Sequence, residues 1–559
     1  MLACLAGLML AAAFPKVGIS SLAWIAPALL VLAAAGCTGG EAFRIGYIAG
    51  FAQWLASLYW LLFIPVAWYP ILGWIVLSVY LALYPAVWVW LVLRISRFTF
   101  HVSSPEPRRK SPLGFAGEIV WGSWTRRTLW ALVGAAIWVA LEMVRARLLS
   151  GFPWIPLGAS QYEMLPLIQI ASVTGVYGVS FVVVWCSLSL LLAGIAILRH
   201  PATRSVWVSE IILPVLALVV LLMWGNRPLA QSPPPTRELE VAFVQPSIPQ
   251  TMIWNPRENA TRFNRVMEVS ETVLAAKPAS PESIRGKLLI WPEAALPDFN
   301  EPSYTAITNM IRTHRIWMIF GADEVERRLD AKGSDEYEYF NSAFLFNPEG
   351  QYVASYRKRH LVMFGEYIPW SRWLPFLRHF TPIQGGFTPG KKPVAFVLDD
   401  LGVVTSTLIC FEDIFPDLAR DSVEDDTDFL LNLTNNGWFR ESAAQWQHGA
   451  TAIFRAVENG LPLLRCSNNG LTCWVDAHGR IREVFRDDAG TIYGPGVMTA
   501  RIPLLEPGQV RPPTFYRRHG DWFGWGCVGI ALVSLAAKGR GRPETARPTT
   551  KSQKECSIN

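Results

Sequence analysis

The chain has 559 residues, of which 51% are hydrophobic and only 17% are charged, and its mean hydropathy is +0.26. This composition excludes a disordered protein and an ordinary soluble one, and the length allows two or more folding units. The net charge of +6 is modest, and we expect no nucleic-acid partner. Residues 1–230 carry 20 charged side chains, whereas the other 329 residues carry 74. The first region therefore predicts a membrane-embedded part, and the second a largely water-facing one.

Apolar runs in residues 1–230 and near the carboxyl end are long enough to predict membrane-spanning helices, which need about 20 mostly apolar residues. We predict a bundle of eight spans, seven within 1–230 and the eighth at 520–538. The first run, 1–14, is short and ends at a Phe-Pro pair, and it lacks the positive start and cleavage site of a signal peptide. The predicted runs are 1–14, 22–35, 45–64, 71–93, 129–144, 176–198, 206–224 and 522–537.

Lysine and arginine in the loops predict the orientation of the bundle, because cytoplasmic loops are enriched in these residues. The basic segments 94–127, 199–204 and 538–554 fall on one side if the amino terminus is cytoplasmic. Arg145 and Arg147 fall on the other side and depart slightly from this pattern. The segment between the seventh and eighth spans is then outside the cytoplasmic membrane. We predict that residues 539–559 form a disordered cytoplasmic tail.

The pattern changes after the proline-rich linker at 231–235. Short apolar runs typical of β-strands alternate there with polar or helical stretches, and residues 443–459 have helical spacing. This mixture predicts an α+β layered domain over 237–505, which is large enough to form its own core. The predicted strands are 239–244, 288–291, 317–320, 343–346, 403–409 and 429–433.

Three stretches place a reactive side chain directly after a predicted strand, whereas the GxSxG, P-loop, HExxH and Rossmann motifs are absent from the sequence. Glu293 follows Trp-Pro, Lys358 begins a basic triplet, and Cys410 precedes two acidic residues. Apolar surroundings suit a carboxylate to general-base chemistry, and a helix start favours a thiolate. Each stretch alone also fits an interpretation without a catalytic role: a solvated glutamate, a solvated basic face or a buried cysteine.

Taken together, the order Glu, Lys, Cys at three strand ends resembles the nitrilase (carbon–nitrogen hydrolase) superfamily over 237–505. With eight apolar spans around this domain, the chain resembles the apolipoprotein N-acyltransferase family along nearly its whole length. Local matches outside the three stretches support this resemblance. They include GFPW at 151–154, GVYGVSF at 175–181, NLTN at 432–435, RAVEN at 455–459 and SNNG at 467–470.

The resemblance implies an αββα sandwich in which Glu293 is the base, Lys358 stabilises the oxyanion and Cys410 is the nucleophile. It also implies supporting or substrate-binding roles for further residues. Three positions depart from the usual family pattern: Met363 stands for Pro, Phe411 for Tyr, and Asn-Gly at 436–437 for Asp-Ala. The implied supporting residues are Glu366, Glu412, Trp254, Phe411 and Asn435.

The implied reaction moves a fatty acyl chain from a glycerophospholipid, through a cysteine thioester, to the α-amino group of a diacylglyceryl-cysteine at a lipoprotein's amino terminus. It requires neither a metal nor an organic cofactor. The implied setting is the bacterial inner membrane, with the catalytic domain on the periplasmic side, and a monomer is the default. The main alternative is a membrane-tethered amidase or nitrilase; an acyltransferase for another amine and an inactive scaffold are further alternatives. Pairing of Cys466 with Cys473 stays open.

Overall fold

The computed structural model describes residues 1–99, 123–199, 202, 204–230, 237–275, 284–296, 299–329, 335–371, 373–380, 386–506 and 508–536. The predicted linker at 231–235 and the predicted tail at 539–559 lie outside the described residues. Most of the basic loop predicted at 94–127 also lies outside them.

The amino-terminal part folds into packed helices whose contacts use small residues. A Cβ atom added at Gly46 would lie 2.7 Å from the Cα atom of Ala86, so two helices approach closely here, as small residues allow in membrane bundles. The helices are α1 Leu2–Ala12, α2 Ala26–Ala33, α3 Gly39–Ser57, α4 Tyr69–Leu81, α5 Leu83–Thr99, α6 Trp124–Arg145, α7 Leu165–Ile168, α8 Ala171–Thr174, α9 Val176–Arg199 and α10 Arg204–Ala230.

Within the described residues, four helical segments are long and apolar enough to cross a bilayer: Tyr69–Ile95, Trp124–Arg145, Val176–Leu198 and Trp207–Ala230. These segments fit four of the eight predicted spans. The predicted run at 22–35 is not one continuous helix. The chain forms a 3-10 turn at Ser20–Trp24 and then the eight-residue helix α2, which is about 12 Å long. Pro27 lies in the first turn of α2, the position where proline is favoured at the start of a helix, so the helix begins here.

The second part of the chain is built on two mixed β-sheets of six strands each within the described residues. The first sheet has the order β12-β1-β2-β3-β4-β5 and the second sheet has the order β11-β10-β9-β8-β7-β6. In each sheet three neighbouring strands are parallel: β1, β2 and β3 in the first, and β7, β8 and β9 in the second. The strands are β1 Glu238–Gln245, β2 Ile284–Ile290, β3 Trp317–Leu329, β4 Asp335–Phe346, β5 Tyr352–Arg357, β6 Ala395–Leu398, β7 Val403–Ile409, β8 Phe429–Thr434, β9 Leu463–Ser467, β10 Cys473–Val475, β11 Ile481–Val484 and β12 Gly496–Pro503.

The two sheets pack face to face around an apolar core, and helices cover their outer faces. Side chains such as Phe243, Ile290 and Leu431 fill the space between the sheets. The outer face of the first sheet packs against two helices of the same part of the chain. This four-layer order is the αββα sandwich that the resemblance implies. The helices of this part and of the carboxyl end are α11 Gln250–Ile253, α12 Asn259–Leu274, α13 Glu301–His314, α14 Pro416–Asp421, α15 Ala444–Asn459, α16 Phe515–His519 and α17 Trp522–Ala536.

The outer face of the second sheet packs against α15, and α15 in turn packs against the membrane helices in one continuous core. Gln447 of α15 connects these parts by hydrogen bonds. Its Oε1 atom accepts from the indole N–H of Trp60 at 3.0 Å and from that of Trp154 at 3.0 Å, and its Nε2 atom donates to the Pro15 carbonyl at 2.9 Å. The second part of the chain and the helical bundle are therefore joined by buried, directional contacts.

The structure also answers the open question about two cysteines. Cys473 on β10 is opposite Arg465 on β9, so Cys466 is one residue out of register with it. Successive side chains of a strand point to opposite faces of the sheet. Cys466 accordingly packs between the two sheets and Cys473 packs on the outer face, and both are free thiols.

Candidate active site

Cys410 lies at a sharp turn directly after β7. Its φ angle is +53°, in the left-handed region that non-glycine residues rarely adopt, and a 3-10 turn, Cys410–Ile414, begins there. The side-chain amide of Asn432 donates to the Cys410 carbonyl at 3.0 Å and fixes this turn. Strained backbone held by its surroundings is typical of functional sites. The turn presents Cys410, which is partly exposed, at the end of its strand.

Glu293 follows β2, and its backbone passes close to Gly321 of the neighbouring strand β3. A Cβ atom at Gly321 would lie 2.7 Å from the Cα atom of Glu293, so this close approach requires glycine. The Glu293 residue is 7% exposed, and its Oε1 atom accepts from the side-chain amide of Asn341 at 2.8 Å. Its other oxygen, Oε2, makes no hydrogen bond with any residue that the structure describes. One buried carboxylate oxygen is thus available to a reacting group.

Lys358 follows β5 and is 1% exposed. Its Nζ atom donates to Oε1 of Glu366 at 2.8 Å and to Oε1 of Glu293 at 3.4 Å. Burial acts to lower the pKa of Lys358, but the carboxylates of Glu366 and Glu293 outweigh it and hold this pKa well above its ordinary value. Lys358 is therefore an ammonium group that lies between two carboxylates.

The charges of Glu293 and Lys358 both affect the pKa of the Cys410 thiol. Burial, aided by the Glu293 carboxylate, raises the pKa of Cys410 to about 12, and the Lys358 ammonium group acts in the opposite direction. The resting side chain is therefore a neutral thiol, and a base must remove its proton before the sulfur can attack. The three residues predicted from the sequence meet at one end of the sandwich, Glu293 and Lys358 from the first sheet and Cys410 from the second.

Glu366 and Glu412, both predicted as supporting residues, have different positions. Glu366 contacts the site directly, because its Oε1 atom binds Lys358 and its Oε2 atom accepts from the backbone N–H of Val362 at 2.8 Å. Glu412 is buried behind the turn, and burial raises its pKa. Its Oε1 atom accepts from the backbone N–H of Arg359 at 2.7 Å and its Oε2 atom from that of Ile409 at 2.8 Å. Glu412 thus links the strand end that carries Lys358 to the strand end that carries Cys410.

Phe411, Asn435 and Trp254, also predicted as supporting residues, have different surroundings. The Phe411 ring packs on the bundle, as described below. The backbone amide of Asn435 acts to lower the pKa of Cys410, and its side chain donates to Gln250 at 2.9 Å. Trp254 is 42% exposed and its ring packs against that of Trp438 at a centroid distance of 5.1 Å. A role for Trp254 stays a prediction.

Two groups in the site were not predicted from the sequence. Asn341 donates to both Glu293, at 2.8 Å, and Glu366, at 3.0 Å, and so holds the two carboxylates on either side of the lysine. Its position among the apolar residues of β4 was a usable signal, because a polar side chain in a buried strand needs a partner. Behind Cys410, Asp413 binds Arg465 and lies 2.7 Å from Nε2 of His448.

The bundle contributes aromatic side chains next to the turn. The ring of Phe411 lies 6.1 Å from that of Phe152 and 6.4 Å from that of Trp154, centroid to centroid, in the loop that follows α6. Trp154 also packs on His448 at 5.5 Å. The residue next to Cys410 therefore contacts the membrane part of the chain.

A strained cysteine turn beside a buried glutamate and lysine, in an αββα sandwich joined to membrane helices, defines a membrane-embedded enzyme of the carbon–nitrogen hydrolase class. Residues 240–504 match the family described as carbon–nitrogen hydrolase. Residues 6–189 match the apolipoprotein N-acyltransferase N-terminal domain.

Three relatives extend these matches, and each is named apolipoprotein N-acyltransferase. The protein of Geobacter metallireducens is 36% identical over 551 residues, which are 96% of this chain and 95% of that protein. The protein of Rhizobium rhizogenes is 30% identical over 86% of each chain, and that of Rickettsia prowazekii is 28% identical over 86% of each. The chain belongs to the apolipoprotein N-acyltransferase family. The resemblance and the enzyme class predicted from the sequence are confirmed, and the amidase alternative is the weaker one.

Proposed function

We propose that this protein transfers a fatty acyl chain from a glycerophospholipid to the α-amino group of the diacylglyceryl-cysteine at the amino terminus of a lipoprotein. In this proposal Cys410 is the nucleophile, Glu293 the general base and Lys358 the oxyanion partner. The single observation that carries the proposal is the contact between Phe411 and the bundle loop at Phe152 and Trp154. A hydrolase of soluble substrates has no need of a nucleophile beside membrane helices.

The first half-reaction forms a thioester. The free Oε2 atom of Glu293 takes the thiol proton as the Cys410 sulfur attacks the ester carbonyl carbon of the phospholipid. The Nζ atom of Lys358 stabilises the oxyanion, and a matched donor of this kind is commonly worth about 3–4 kcal/mol. The ester C–O bond breaks, the proton passes from Glu293 to the leaving lysophospholipid oxygen, and the acyl chain stays on the sulfur.

The second half-reaction forms an amide. The neutral α-amino group of the acceptor attacks the thioester carbon, the new C–N bond forms and the C–S bond breaks. Glu293 takes one amine proton and returns it to the Cys410 sulfur. An amide is more stable than a thioester, so the sequence proceeds without ATP. Glu366 and Asn341 keep Lys358 and Glu293 in position through both halves.

The proposed setting is the inner membrane, with eight membrane segments and the catalytic domain on the outer side. The four long apolar segments support a multi-pass arrangement, and the shorter apolar helices Leu2–Ala12 and Trp522–Ala536 supply further segments. Basic residues in the loops support the orientation. Exposed Trp370, Trp373 and Phe376, in the loop after Lys358, suit contact with lipid. We propose a monomer.

Mass spectrometry of the purified full-length protein tests the function. Incubation with phospholipid alone should add the mass of one acyl chain to the protein, and later addition of a diacylated lipopeptide should move that mass to the peptide. Cys410→Ala should form no adduct, and Glu293→Gln should form it at least about 10²-fold more slowly. Cys473→Ala, a free thiol on the outer face of the second sheet, is the matched control and should behave as the unaltered protein.

An adduct that persists in Cys410→Ala would contradict the assignment of the nucleophile. Hydrolysis of the lipopeptide amide without acylation would favour the amidase instead. Added phospholipid that yields neither adduct nor acylated peptide would reject the acyltransferase proposal as a whole.

A further inference from the structure

Asp323 is a carboxylate beside the candidate active site that the proposed reaction does not yet use. It lies on β3, directly opposite Asn341 of β4. The Asn341 side chain donates to Glu293 at 2.8 Å and to Glu366 at 3.0 Å. Residues directly opposite each other in antiparallel strands project from the same face of a sheet. The Asp323 side chain therefore projects from the same face as the amide that holds the two carboxylates of the site.

This face is the inner one, which meets the second sheet. Ile319 is four residues before Asp323 on β3, so it shares this face, and it belongs to the core between the two sheets. Gly321 lies between them on the same face, and its backbone passes close to that of Glu293. Asp323 is the next inward-facing residue after this close approach. It is therefore on the side of the sheet where Glu293 and Cys410 meet.

Asp323 is exposed and unpaired. Among the residues that the structure describes, none donates a hydrogen bond to its carboxylate or forms an ion pair with it. The surrounding protein nevertheless removes part of its hydration. This burial, followed by the Glu293 carboxylate, raises the pKa of Asp323 to about 6; Glu366 acts in the same direction and Arg262 in the opposite one. At pH 7 Asp323 is largely ionised, but it takes a proton more readily than an ordinary aspartate.

The neighbouring charged groups leave this carboxylate available. Glu293 and Glu366 both accept from Lys358, and Arg262 of α12 donates to two backbone carbonyls at 3.1 and 3.2 Å. Arg327 is four residues further along β3, which is about 13 Å in a strand. The ionisable groups of the site and of the strands around Asp323 are Glu293, Lys358, Glu366, Arg262, Cys410, Arg327, Tyr337 and Tyr339.

The second half-reaction needs a proton acceptor in addition to Glu293. The acceptor attacks as a neutral amine, but an α-amino group has an ordinary pKa of about 7.7–8.0, so only about one-seventh of it is neutral at pH 7. The ammonium form carries three protons. One stays in the amide, and Glu293 returns a second to the Cys410 sulfur. The third has to leave before the amine attacks, and the half-reaction as described assigns it to no group.

We propose that Asp323 binds the α-ammonium group of the acceptor and takes the proton that leaves before the amine attacks the thioester. The inference rests on the proposed function and adds to it a residue that recognises the acceptor by its charge. One N–H bond of the ammonium group breaks, its electron pair stays on the nitrogen, and an O–H bond forms on Asp323. The proton then passes to water, which reaches Asp323 because this residue is exposed.

An ammonium group can also come from the headgroup of a phospholipid such as phosphatidylethanolamine. The nitrogen of a headgroup forms no bond to the acyl carbon, so it has no need to approach the sulfur. The α-amino nitrogen of the acceptor has to approach it. Asp323 lies beside Glu293, on the face that meets the second sheet, and this position favours the reacting amine.

The two half-reactions of Asp323→Asn test the proposal, with the full-length protein in phosphatidylglycerol nanodiscs. Thioester formation from this phospholipid should be unchanged, because the donor carries no ammonium group. Transfer of the acyl chain to a diacylated lipopeptide is then followed by mass spectrometry. At pH 7 transfer should be about sevenfold slower than in the unaltered protein, because the variant uses only the neutral amine. The two rates should converge at pH 9, where the α-amino group is mostly neutral.

Three controls accompany this comparison. Hydroxylamine is an amine that is uncharged at neutral pH, so it should remove the acyl chain from Asp323→Asn as fast as from the unaltered protein. Asp323→Glu keeps a carboxylate and should restore most of the transfer at pH 7. Glu336→Gln removes an exposed carboxylate on the reverse face of the same strand pair, opposite Arg328, and should change neither half-reaction.

A loss of transfer in Asp323→Asn that is the same at pH 7 and pH 9, or an equal loss with hydroxylamine, would overturn the proposal and indicate a structural role. Unchanged transfer at pH 7 would overturn it as well. Slower thioester formation from phosphatidylethanolamine, but not from phosphatidylglycerol, would assign Asp323 to the donor headgroup instead. Absence of the thioester in the unaltered protein would reject the proposed function itself, and the inference with it.

Discussion

The two sheets of the catalytic domain have the same strand pattern but different outer layers. The first sheet carries Glu293 and Lys358 and is covered by α12 and α13 of its own domain. The second sheet carries Cys410 and is covered by α15, which is itself fixed to the bundle through Gln447. Cys410 is therefore held relative to the bundle, whereas Glu293 and Lys358 are held relative to the layer of α12 and α13. This division suits an enzyme whose acyl donor is a lipid and whose acceptor carries a polypeptide.

The buried charged groups of the two sheets also differ in what they face. In the first sheet a cation, Lys358, lies between two carboxylates and faces the reacting atoms. In the second sheet Asp413 binds Arg465 and His448 behind the cysteine turn, away from solvent. In the proposed function the first group takes part in the chemistry of the site, whereas the second lies behind the turn that carries Cys410. Substitutions in the two groups should therefore give different defects.

The largest effect should come from Lys358→Met. This change leaves Glu293 and Glu366 buried side by side without their cation, which should cost about 3–5 kcal/mol of unfolding free energy. It also removes the oxyanion partner, so thioester formation should slow by about 10³-fold. Both are measured on the purified protein, by thermal unfolding and by the rate at which the acyl adduct appears.

Lys287→Met is the matched control for this prediction. Lys287 lies on β2 of the same sheet, 3.3 Å from Glu240, and is partly exposed. An exposed ion pair contributes little, so this variant should lose less than about 1 kcal/mol and keep its activity. A Lys358→Met protein that forms the adduct within tenfold of the normal rate would show that another group stabilises the oxyanion.

The strand ends that carry Glu293 and Cys410 were predictable because each of these residues follows a short apolar run, whereas β5, which precedes Lys358, was not among the predicted strands. The predicted strands at 403–409 and 429–433 correspond closely to β7 and β8, and the helix predicted at 443–459 corresponds to α15. These elements are buried on both faces or on one, so their hydrophobic patterns are unambiguous. The residues that connect them, Asn341 and Gln447, act only through contacts with segments distant in sequence, and no local pattern encodes such contacts.

The membrane part was predicted less well for a related reason. Hydropathy measures composition, but it does not record where a run is broken, and the run at 22–35 changes from a 3-10 turn to a helix just before Pro27. Likewise, the run predicted at 45–64 includes both the end of α3 and a 3-10 turn at Tyr59–Phe63 that contacts the catalytic domain. Apolar residues at such joints pack on protein as well as on lipid, so their composition alone does not define a span.

An intermediate effect on stability is expected when the pH is lowered. It should come from His448, which belongs to the buried group behind the Cys410 turn. Burial lowers the pKa of His448 to about 4, from an ordinary value near 6.5. Below pH 6.5 the unfolded chain therefore binds a proton that the folded protein does not, so this contribution to stability is complete above pH 6.5 and is lost as the pH falls towards 4. Between pH 7.5 and pH 5 the loss should be about 2 kcal/mol.

Thermal unfolding midpoints of the protein and of His448→Gln, measured at pH 7.5, 6 and 5, check this effect. The variant should show a smaller decrease between pH 7.5 and pH 5 than the unaltered protein. His314→Gln, at a histidine on the outer side of the first sheet, should keep the full decrease and serves as the control. Identical decreases in the protein and in His448→Gln would show that another group controls the acid sensitivity of the second sheet.

The smallest predicted effect tests the joint between the second sheet and the bundle. Trp154→Phe keeps an aromatic ring beside Phe411 and His448 but removes the indole N–H that donates to Gln447, while the bond from Trp60 remains. One lost neutral hydrogen bond should cost about 1 kcal/mol, or roughly fivefold in thioester formation from phospholipid. Thioester formation from a short, water-soluble ester should change less than twofold, because the three central residues are untouched. If both donors were affected equally, the bundle would act on the reactivity of Cys410 itself rather than on the placement of lipid, and the division between the two sheets would not hold.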